Sequence, residues 1–489
     1  MKALFLFSFL LIFHCSSAQT STVAPNDTCR KIDAYLTQLS REKNFSGGLL
    51  ILKNGKRIFS KGYGWANQET KTPFTPETLA SMGSITKAFT AAAILTLVEQ
   101  GKLNLDDPLT KFFPSVPAEK SGITIHQLLT HSAGFREFLT GDTGDYEKIE
   151  TDQYLARAFK EPLAFVPGSK SIYTNVGYSL LGIIIEQISG QEYEQYLKMA
   201  VLKPMGIEGM GYQFPPNHPE RIAVGYQLGK PWGTHQTKFQ LAGGGPYWNL
   251  KANGGLEASL NDMEKWITGI SKHTVLSPAM TAKMFSPLVR EEGYEGRSFF
   301  GYGCNVSQSR RNTKMIDNGG SNNIYFARLI RLPEEGVVFY MVTNESTMGT
   351  DKVLPNVTQL YFLGAIQQDA MTQRPRFEHP MSAKIYELLS NNPVQSLGEE
   401  LTKQNLNVED DMILLDVGQN LIQEGKSEKA RILYEYYTRS FPNIVVAWND
   451  LGDVYRSLNR EAEARKCYQQ ALILRPGNPR AKAALGIKD

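Results

Sequence analysis

The sequence of 489 residues has few cysteines, little net charge and no long apolar segment beyond its N-terminus. Of its four cysteines, the three outside the N-terminal apolar segment, Cys29, Cys304 and Cys467, are too few and too far apart for a disulfide framework, so we expect buried thiols and at most one bridge. A formal net charge of +3 without a basic block argues against a nucleic-acid partner. His126 and His131 lack the spacing of paired metal ligands, and there is no phosphate-binding loop. We therefore predict no metal and no cofactor.

The N-terminus has the three parts of a secretory signal peptide. Lys2 precedes an apolar run over residues 3–13, and small residues follow at 16–18. We expect cleavage after Ala18, which makes residues 1–18 the signal peptide and the protein periplasmic or secreted. No transmembrane anchor is then left, because no later segment is long and apolar enough. A lipoprotein interpretation centred on Cys15 is weaker, since two bulky residues precede that cysteine.

The periodicity of the next 350 residues predicts a sheet that joins both ends of one domain. Asn-Gly between two apolar runs predicts a hairpin of residues 47–52 and 57–64. Two further strands are predicted late, at 325–331 and 337–342. Helical patterns lie between them, around 84–100, 124–130, 151–160, 176–189 and 192–202. Strands at both ends of a helical middle indicate an α/β or α+β domain.

The C-terminal part repeats with a period of 34 residues. Gly418 and Gly452 lie 34 residues apart, and so do Tyr434 and Tyr468. Such a period is the signature of stacked repeats, each of which is one supersecondary unit. The pattern resembles the tetratricopeptide repeat, in which two antiparallel helices pack through small and aromatic residues.

The repeat pattern defines an all-α region over residues 383–489, after a polar linker at 371–382. Its best copies are 411–444 and 445–478. Two repeats are fewer than usually stand alone. Either residues 383–405 supply a further irregular pair of helices, or the tail leans on the main domain. The resemblance implies a surface for a protein or peptide partner, and the alternative is a helical buttress without a partner.

The candidate nucleophile is Ser84. It lies three residues before Lys87, at the start of an apolar run over residues 85–98, so both side chains share one helix face. The positive end of that helix stabilises a developing alkoxide. A lysine whose charge is disfavoured by burial can take the serine proton without any histidine. The spacing alone is weak evidence, because Ser40 and Lys43 share it and because serine is also a common N-cap.

Longer stretches accompany residues 84–87, namely 45–48 (Phe-Ser-Gly-Gly), 101–108, 124–134, and 254–256 (Gly-Gly-Leu) with Asp262. With them, residues 35–365 resemble the serine β-lactamase and penicillin-binding-protein superfamily. The closer likeness is to its branch of class C β-lactamases, D-alanyl-D-alanine carboxypeptidases and esterases. The resemblance implies a β-lactamase/transpeptidase-like fold for residues 19–370. This fold has an antiparallel sheet flanked by helices, and a helical subdomain.

The resemblance assigns roles to a second motif at Tyr173 and Asn175. In this branch Tyr-X-Asn takes the place of Ser-Asp-Asn. Tyr173 is then expected to shuttle the serine proton, with its phenol made acidic by the lysine. Asn175 is expected to hydrogen-bond the substrate and to steady Lys87. Residues 247–249 (Tyr-Trp-Asn) share the pattern, and Tyr173 is alternatively a turn residue that caps the next helix.

The third motif is where this sequence departs from the family. The family has Lys or His, then Thr, Ser or Gly, then Gly, on a strand beside the site and after the tyrosine motif. Residues 120–122 (Lys-Ser-Gly) fit but come too early in the chain. The aligned residues are Asn318, Gly319, Gly320 and Ser321. Glycine there allows close approach of the substrate backbone.

The resemblance implies an oxyanion hole made by the backbone N–H groups of Ser84 and Ser321. Asn318 replaces the usual cation and cannot pair ionically with a substrate carboxylate. Since a charge-assisted hydrogen bond is roughly twice as strong as a neutral one, we expect weak binding of penicillins and D-Ala-D-Ala ends. Alternatively, Asn318 only shapes a turn with Asp317 and the site is degenerate.

The function implied by the resemblance is that of an exported serine hydrolase of the β-lactamase-related, class C-like type. It forms an acyl-enzyme with an amide, ester or peptide substrate, with D-amino-acid and cell-wall compounds among the options. A different class of function is a non-catalytic sensor or binding protein that presents its repeats to a partner. The intact set of Ser84, Lys87, Tyr173 and Asn175 argues against that alternative.

Overall fold

The computed structural model describes residues 27–212, 219–227, 229–292, 298–309, 311–347, 349–366, 380–391, 394–408 and 411–487. The signal peptide predicted at 1–18 and most of the linker predicted at 371–382 lie outside these residues. Within the described ranges, no helix combines the length and the apolarity that crossing a membrane requires. The three cysteines among these residues are buried and no disulfide joins any two of them, which agrees with the expectation from their spacing.

The strands are β1 Gly47–Lys53, β2 Lys56–Tyr63, β3 Trp65–Asn67, β4 Thr72–Pro73, β5 Ala80–Ser81, β6 Gly225–Gln227, β7 Lys230–Gly233, β8 Glu257–Ala258, β9 Val289–Arg290, β10 Ser298–Phe300, β11 Asn305–Gln308, β12 Lys314–Ser321, β13 Phe326–Leu332 and β14 Val337–Thr343. Eight of them form an antiparallel sheet in the order β2-β1-β14-β13-β12-β11-β10-β9. The first hairpin therefore pairs with the last strands of the domain. This confirms the predicted antiparallel sheet.

The first hairpin follows from its local sequence. Asn54 and Gly55 have φ of 51° and 71°, which is the left-handed pair that a tight two-residue turn requires. Successive side chains of β1 point to opposite faces of the sheet. Leu49 and Ile51 pack on one face with the first and last helices of the domain. Leu50 packs on the other face, in the larger core that carries the site.

The helices of the main domain are α1 Asp27–Arg41, α2 Thr86–Glu99, α3 Ile125–Leu129, α4 Thr151–Lys160, α5 Asn175–Ser189, α6 Tyr193–Leu197, α7 His235–Leu241, α8 Leu260–Ser271, α9 Pro278–Met284 and α10 Thr350–Leu363. Helix α2 is buried from Thr86 to Leu97 and is apolar all round. A helix of that composition lies in the interior of a domain. The turn that precedes it and contains Ser84 lies against strand β12.

The C-terminal helices are α11 Pro380–Asn391, α12 Leu397–Lys403, α13 Asp411–Gln423, α14 Ser427–Ser440, α15 Val445–Ser457, α16 Glu461–Leu474 and α17 Pro479–Leu485. They share a core of their own. Gly418 and Gly452 lie against the rings of Tyr434 and Tyr468, so a Cβ at either glycine would overlap a ring. The period of 34 residues thus records the same glycine–tyrosine contact made twice.

Candidate active site

Ser84 lies in a short 3-10 turn, Gly83–Ile85, directly before α2. Its side chain is half-buried, whereas Gly83 and Ile85 are buried. The turn brings Lys87, only 3% exposed, back beneath the serine. Lys87 Nζ lies 3.2 Å from Ser84 Oγ. The two groups are therefore within reach of a direct proton transfer.

The Lys87 amine has two better acceptors than the serine. Its Nζ donates to Asn175 Oδ1 at 2.6 Å and to the backbone oxygen of Asn253 at 2.7 Å. A neutral amine has two N–H bonds and one lone pair. The two short hydrogen bonds use both protons, so the lone pair is left facing Ser84 Oγ. This geometry presents the amine as a base toward the serine hydroxyl.

Burial of Lys87 lowers its pKa to about 7, because the ammonium form loses its hydration. The carboxylates of Glu137 and Asp145 oppose this shift. A general base works best when its pKa lies near the working pH. At neutral pH a substantial fraction of Lys87 is then unprotonated and able to accept the Ser84 proton.

Tyr173 contacts both Ser84 and Lys87, but burial raises its pKa, whereas burial lowers the pKa of Lys87. It forms a side-chain hydrogen bond with Ser84, and Lys87 Nζ lies 4.7 Å from its ring centroid. Burial raises the pKa of Tyr173, and the bond with Ser84 offsets this only in part. The expectation that the lysine makes this phenol acidic is therefore wrong. Tyr173 is a neutral phenol that holds a proton.

His131 holds the tyrosine motif in place. Its Nδ1 accepts a hydrogen bond from the backbone N–H of Thr174 at 3.1 Å, and its ring lies 4.7 Å from the Tyr173 ring, centroid to centroid. Burial, with a smaller effect of Lys87, lowers the pKa of His131 well below its ordinary value. The imidazole is therefore neutral, which leaves Nδ1 free to accept. Sequence analysis identified His131 only as a residue outside any metal site.

Two glycines bring the third motif against the nucleophile turn. A Cβ on Gly83 would lie 2.7 Å from the backbone nitrogen of Ser321, and one on Gly320 would lie 2.8 Å from the backbone nitrogen of Ser84. Such distances exclude any side chain at these positions. The N–H groups assigned to the oxyanion hole thus lie on two segments in direct backbone contact. Donors placed this way can stabilise an oxyanion on an acylated serine.

Strand β12 offers an edge beside the serine. Strand β11 pairs only with Lys314 to Asp317, whereas β13 pairs with β12 through Ser321. Gly319 and Ser321 are exposed. An extended substrate backbone can therefore lie along this part of β12 within the described structure.

Asn318 is turned into the protein. It is 6% exposed, and its Nδ2 donates to the backbone oxygen of Gly303. The alternative that Asn318 shapes a turn with Asp317 is wrong, because both residues lie inside the continuous strand β12. The amide braces the strand, and no lysine or histidine stands at this position to meet a substrate carboxylate.

The other patterns weighed in the sequence lie elsewhere. Lys120 is buried, and its Nζ donates to the backbone oxygen of Phe159. Ser40 lies in the last turn of helix α1, and Lys43 follows with a left-handed φ of 57°. Among the described residues, no group of three or more potential ligands could hold a metal ion.

The sequence analysis missed Asn253. Its backbone oxygen receives one of the two short bonds of Lys87, while its Nδ2 donates to Ser179 Oγ at 2.9 Å and to the Asn249 oxygen at 3.0 Å. Residues 254–256 belong to the recognised stretches, so the neighbouring sequence signalled the segment. A backbone acceptor leaves no trace in residue identity, so the sequence could not single it out.

Two family models match this chain, one in the main domain and one in the C-terminal region. A family model described as Beta-lactamase matches residues 32–360, and one described as Tetratricopeptide repeat matches residues 445–478. Protein flp of Staphylococcus aureus (strain N315) is 31% identical over 249 residues, which are 50% of this chain and 49% of that protein. Esterase EstB of Burkholderia gladioli is 32% identical over 219 residues, 41% of this chain and 55% of the esterase. The chain spans about half the length of these curated relatives.

Solved structures share the fold. The octameric penicillin-binding protein homologue from Pyrococcus abyssi superposes with a TM-score of 0.59 at 29% identity, covering 69% of this chain and 77% of that chain. D-amino acid amidase from Ochrobactrum anthropi SV3, complexed with D-phenylalanine, has the same TM-score at 20% identity. That match covers 69% of this chain and 100% of the amidase. At such identity the second likeness concerns the fold alone.

Proposed function

The chain belongs to the beta-lactamase family, as its motifs predict, and on that basis we propose that it is a serine hydrolase that forms an acyl-enzyme on Ser84. The observation that carries the proposal is the buried Lys87 amine, 3.2 Å from Ser84 Oγ with a pKa lowered to about 7. The comparisons support hydrolase chemistry in general, since one curated relative is an esterase by name. We further propose that this hydrolase is of the class C-like type and that it is exported from the cell.

The proposed reaction begins with attack of Ser84 Oγ on the substrate carbonyl. Lys87 takes the serine proton as the new C–O bond forms, and the N–H groups of Ser84 and Ser321 hold the oxyanion. Tyr173 then donates its phenol proton to the leaving nitrogen or oxygen as that bond breaks, and Lys87 returns a proton to Tyr173. Water then attacks the acyl-enzyme while Lys87 accepts its proton. The bond between the acyl carbon and Ser84 Oγ breaks, Lys87 returns the proton to Ser84, and the acid is released.

The charges around the site favour particular substrates. Asn318 supplies no cation, and its amide is engaged by Gly303. Glu137 and Asp145 instead bring carboxylates close enough to affect the pKa of Lys87. A substrate with a free carboxylate next to the scissile bond is then disfavoured. We propose amides or esters that are neutral or carry an amino group, such as a D-amino acid amide.

A fluorophosphonate probe tests the proposed function directly. The purified protein, incubated with the probe and digested, is expected to carry the label on the peptide that contains Ser84, as read by mass spectrometry. A panel of p-nitrophenyl esters, D-amino acid amides and nitrocefin then ranks the acyl donors. Absence of label, together with no turnover of any member of the panel, would favour the non-catalytic sensor.

The Asn318→Lys variant is expected to gain activity on carboxylate-bearing substrates. A charge-assisted hydrogen bond to a carboxylate contributes about 1.5–3 kcal/mol, so kcat/KM for nitrocefin should rise by roughly ten- to hundredfold. The same variant should leave kcat/KM for p-nitrophenyl acetate within about threefold, because that ester has no carboxylate to bind. A wild type that already hydrolyses nitrocefin as fast as its best ester would contradict the proposed preference.

The pH dependence of kcat/KM should report the Lys87 base. The base must be neutral, so activity is expected to fall as the pH drops through about 7, the pKa to which burial lowers this lysine. Asp145 raises the Lys87 pKa, so Asp145→Asn should move this acidic limb to lower pH. Asp152→Asn, at an exposed aspartate of α4, should leave the limb in place. An acidic limb that stays in place in Asp145→Asn, or wild-type activity that shows no acidic limb at all, would contradict the assignment of Lys87 as the base.

A further inference from the structure

An acidic segment beside the site carries three carboxylates in six residues, namely Asp142, Asp145 and Glu147. Arg157 of α4 pairs with Glu147 through two nitrogens, at 2.6 and 2.9 Å. The other nearby arginine comes from the C-terminal helices. Arg475 Nη2 lies 4.0 Å from Asp142 Oδ1. The charge balance of this segment therefore depends partly on the repeat region.

The contact extends beyond one ion pair. Arg475 follows α16, and the backbone N–H of Asn478 bonds back to the Arg475 oxygen at 2.9 Å, which forms a tight turn. A Cβ on Gly477 in this turn would lie 2.8 Å from Thr143 Cβ. A Cβ on Gly144 would lie 3.1 Å from Arg475 Nη2. The turn therefore packs closely on the acidic segment, as expected for a tail that leans on the main domain.

A chain of short contacts leads from this point to the lysine. Asp142 Oδ1 accepts from Asn249 Nδ2 at 2.9 Å. The backbone oxygen of Asn249 accepts from Asn253 Nδ2 at 3.0 Å. The backbone oxygen of Asn253 accepts from Lys87 Nζ at 2.7 Å. Asp142 and Asn249 also line a small pocket together with Asn175, the second acceptor of Lys87.

Resting on the function proposed above, we propose that Arg475 of the repeat region is a positioning residue for the hydrolase site. It holds Asp142 as a carboxylate against Asn249, and so fixes the segment that presents the Asn253 oxygen to Lys87. Asp142 is only 9% exposed, so water replaces the arginine poorly. A buried carboxylate without its cation takes up a proton or moves, and either change weakens its bond to Asn249.

The rate of Ser84 labelling by a fluorophosphonate probe, measured on the full chain, tests the proposal. Arg475→Ala should lower the second-order rate constant by about three- to tenfold, and Arg475→Lys should restore it to within about twofold. Arg465→Ala, at an exposed arginine of α16, is the matched control and should not change the rate. In an Asp142→Asn background, Arg475→Ala should cause no further loss, because the two residues act through one contact.

Hydrogen exchange supplies a readout that does not need activity. Arg475→Ala should speed exchange in residues 139–147 while leaving the melting temperature and the exchange of helix α2 unchanged. Equal labelling rates for the wild type and Arg475→Ala would overturn the positioning role, as would losses that add in the double variant. A wild type that the probe does not label would overturn the proposed function instead. Unchanged exchange in 139–147 would overturn the contact itself.

Discussion

Ser84→Ala is expected to abolish both probe labelling and turnover of whichever ester or amide proves the best substrate. The substitution removes the only atom on which the acyl group forms in the proposed reaction. Loss of a serine nucleophile that acts together with its base lowers kcat by roughly 10⁴-fold or more. The measurement is kcat on the best substrate, alongside labelling of the intact protein followed by mass spectrometry. The small change in side-chain volume should leave the fold intact.

Ser40→Ala is the matched control for this variant. Ser40 and Lys43 have the same spacing as Ser84 and Lys87, but Ser40 lies in the last turn of helix α1, and no short contact joins it to the site in the described structure. Its variant should retain full labelling and activity. Label that persists on another serine in Ser84→Ala would contradict the assignment of the nucleophile.

Lys87→Met is expected to lower kcat by about 10³-fold, within the range that loss of a positioned general base produces. Methionine fills a similar volume without an amine, so the loss reports proton transfer rather than packing. Tyr173 cannot take over as base, because burial raises the pKa of its phenol. KM should change little, since the Lys87 amine already contacts Ser84, Asn175 and Asn253.

Thermal unfolding separates this loss from a loss of structure. The lowered pKa of Lys87 means that folding disfavours its ammonium form at neutral pH, a penalty that disappears as the pH rises toward the ordinary lysine value. Removing the amine is therefore not expected to lower the melting temperature strongly. Lys43→Met provides the control for the duplicate spacing and should keep full activity. A Lys87→Met variant with kcat within tenfold of the wild type would exclude the lysine as the base.

Much of the fold was predictable because it rests on local patterns. The Asn-Gly turn predicts the first hairpin through its left-handed φ values. The apolar run after Ser84 predicts a fully buried helix, since no polar face is left to meet water. The glycine–tyrosine period predicts the stacked helices, because each glycine receives one ring. Each of these features depends on residues that lie close together in the sequence.

The roles within the site were less predictable, because they depend on burial and on distant segments. The sequence predicted that Lys87 and Tyr173 lie beside Ser84. It also predicted an acidic Tyr173 phenol, whereas burial raises the pKa of that phenol. The pKa of each group follows from how completely the fold removes its water, which no residue identity records. Similarly, Asn318 was identified by alignment with a motif, whereas its contact with Gly303 depends on how a separate loop packs.

The sequence by itself determined the family, the antiparallel sheet, the helical repeats and the identity of the candidate nucleophile. These follow from periodicity and from motifs, which are properties of neighbouring residues. Only the tertiary structure decided that the Asn253 oxygen completes the lysine site, that His131 is neutral, and that Arg475 reaches Asp142. Those features join segments far apart in the chain, and their energies depend on how much water the packed structure excludes.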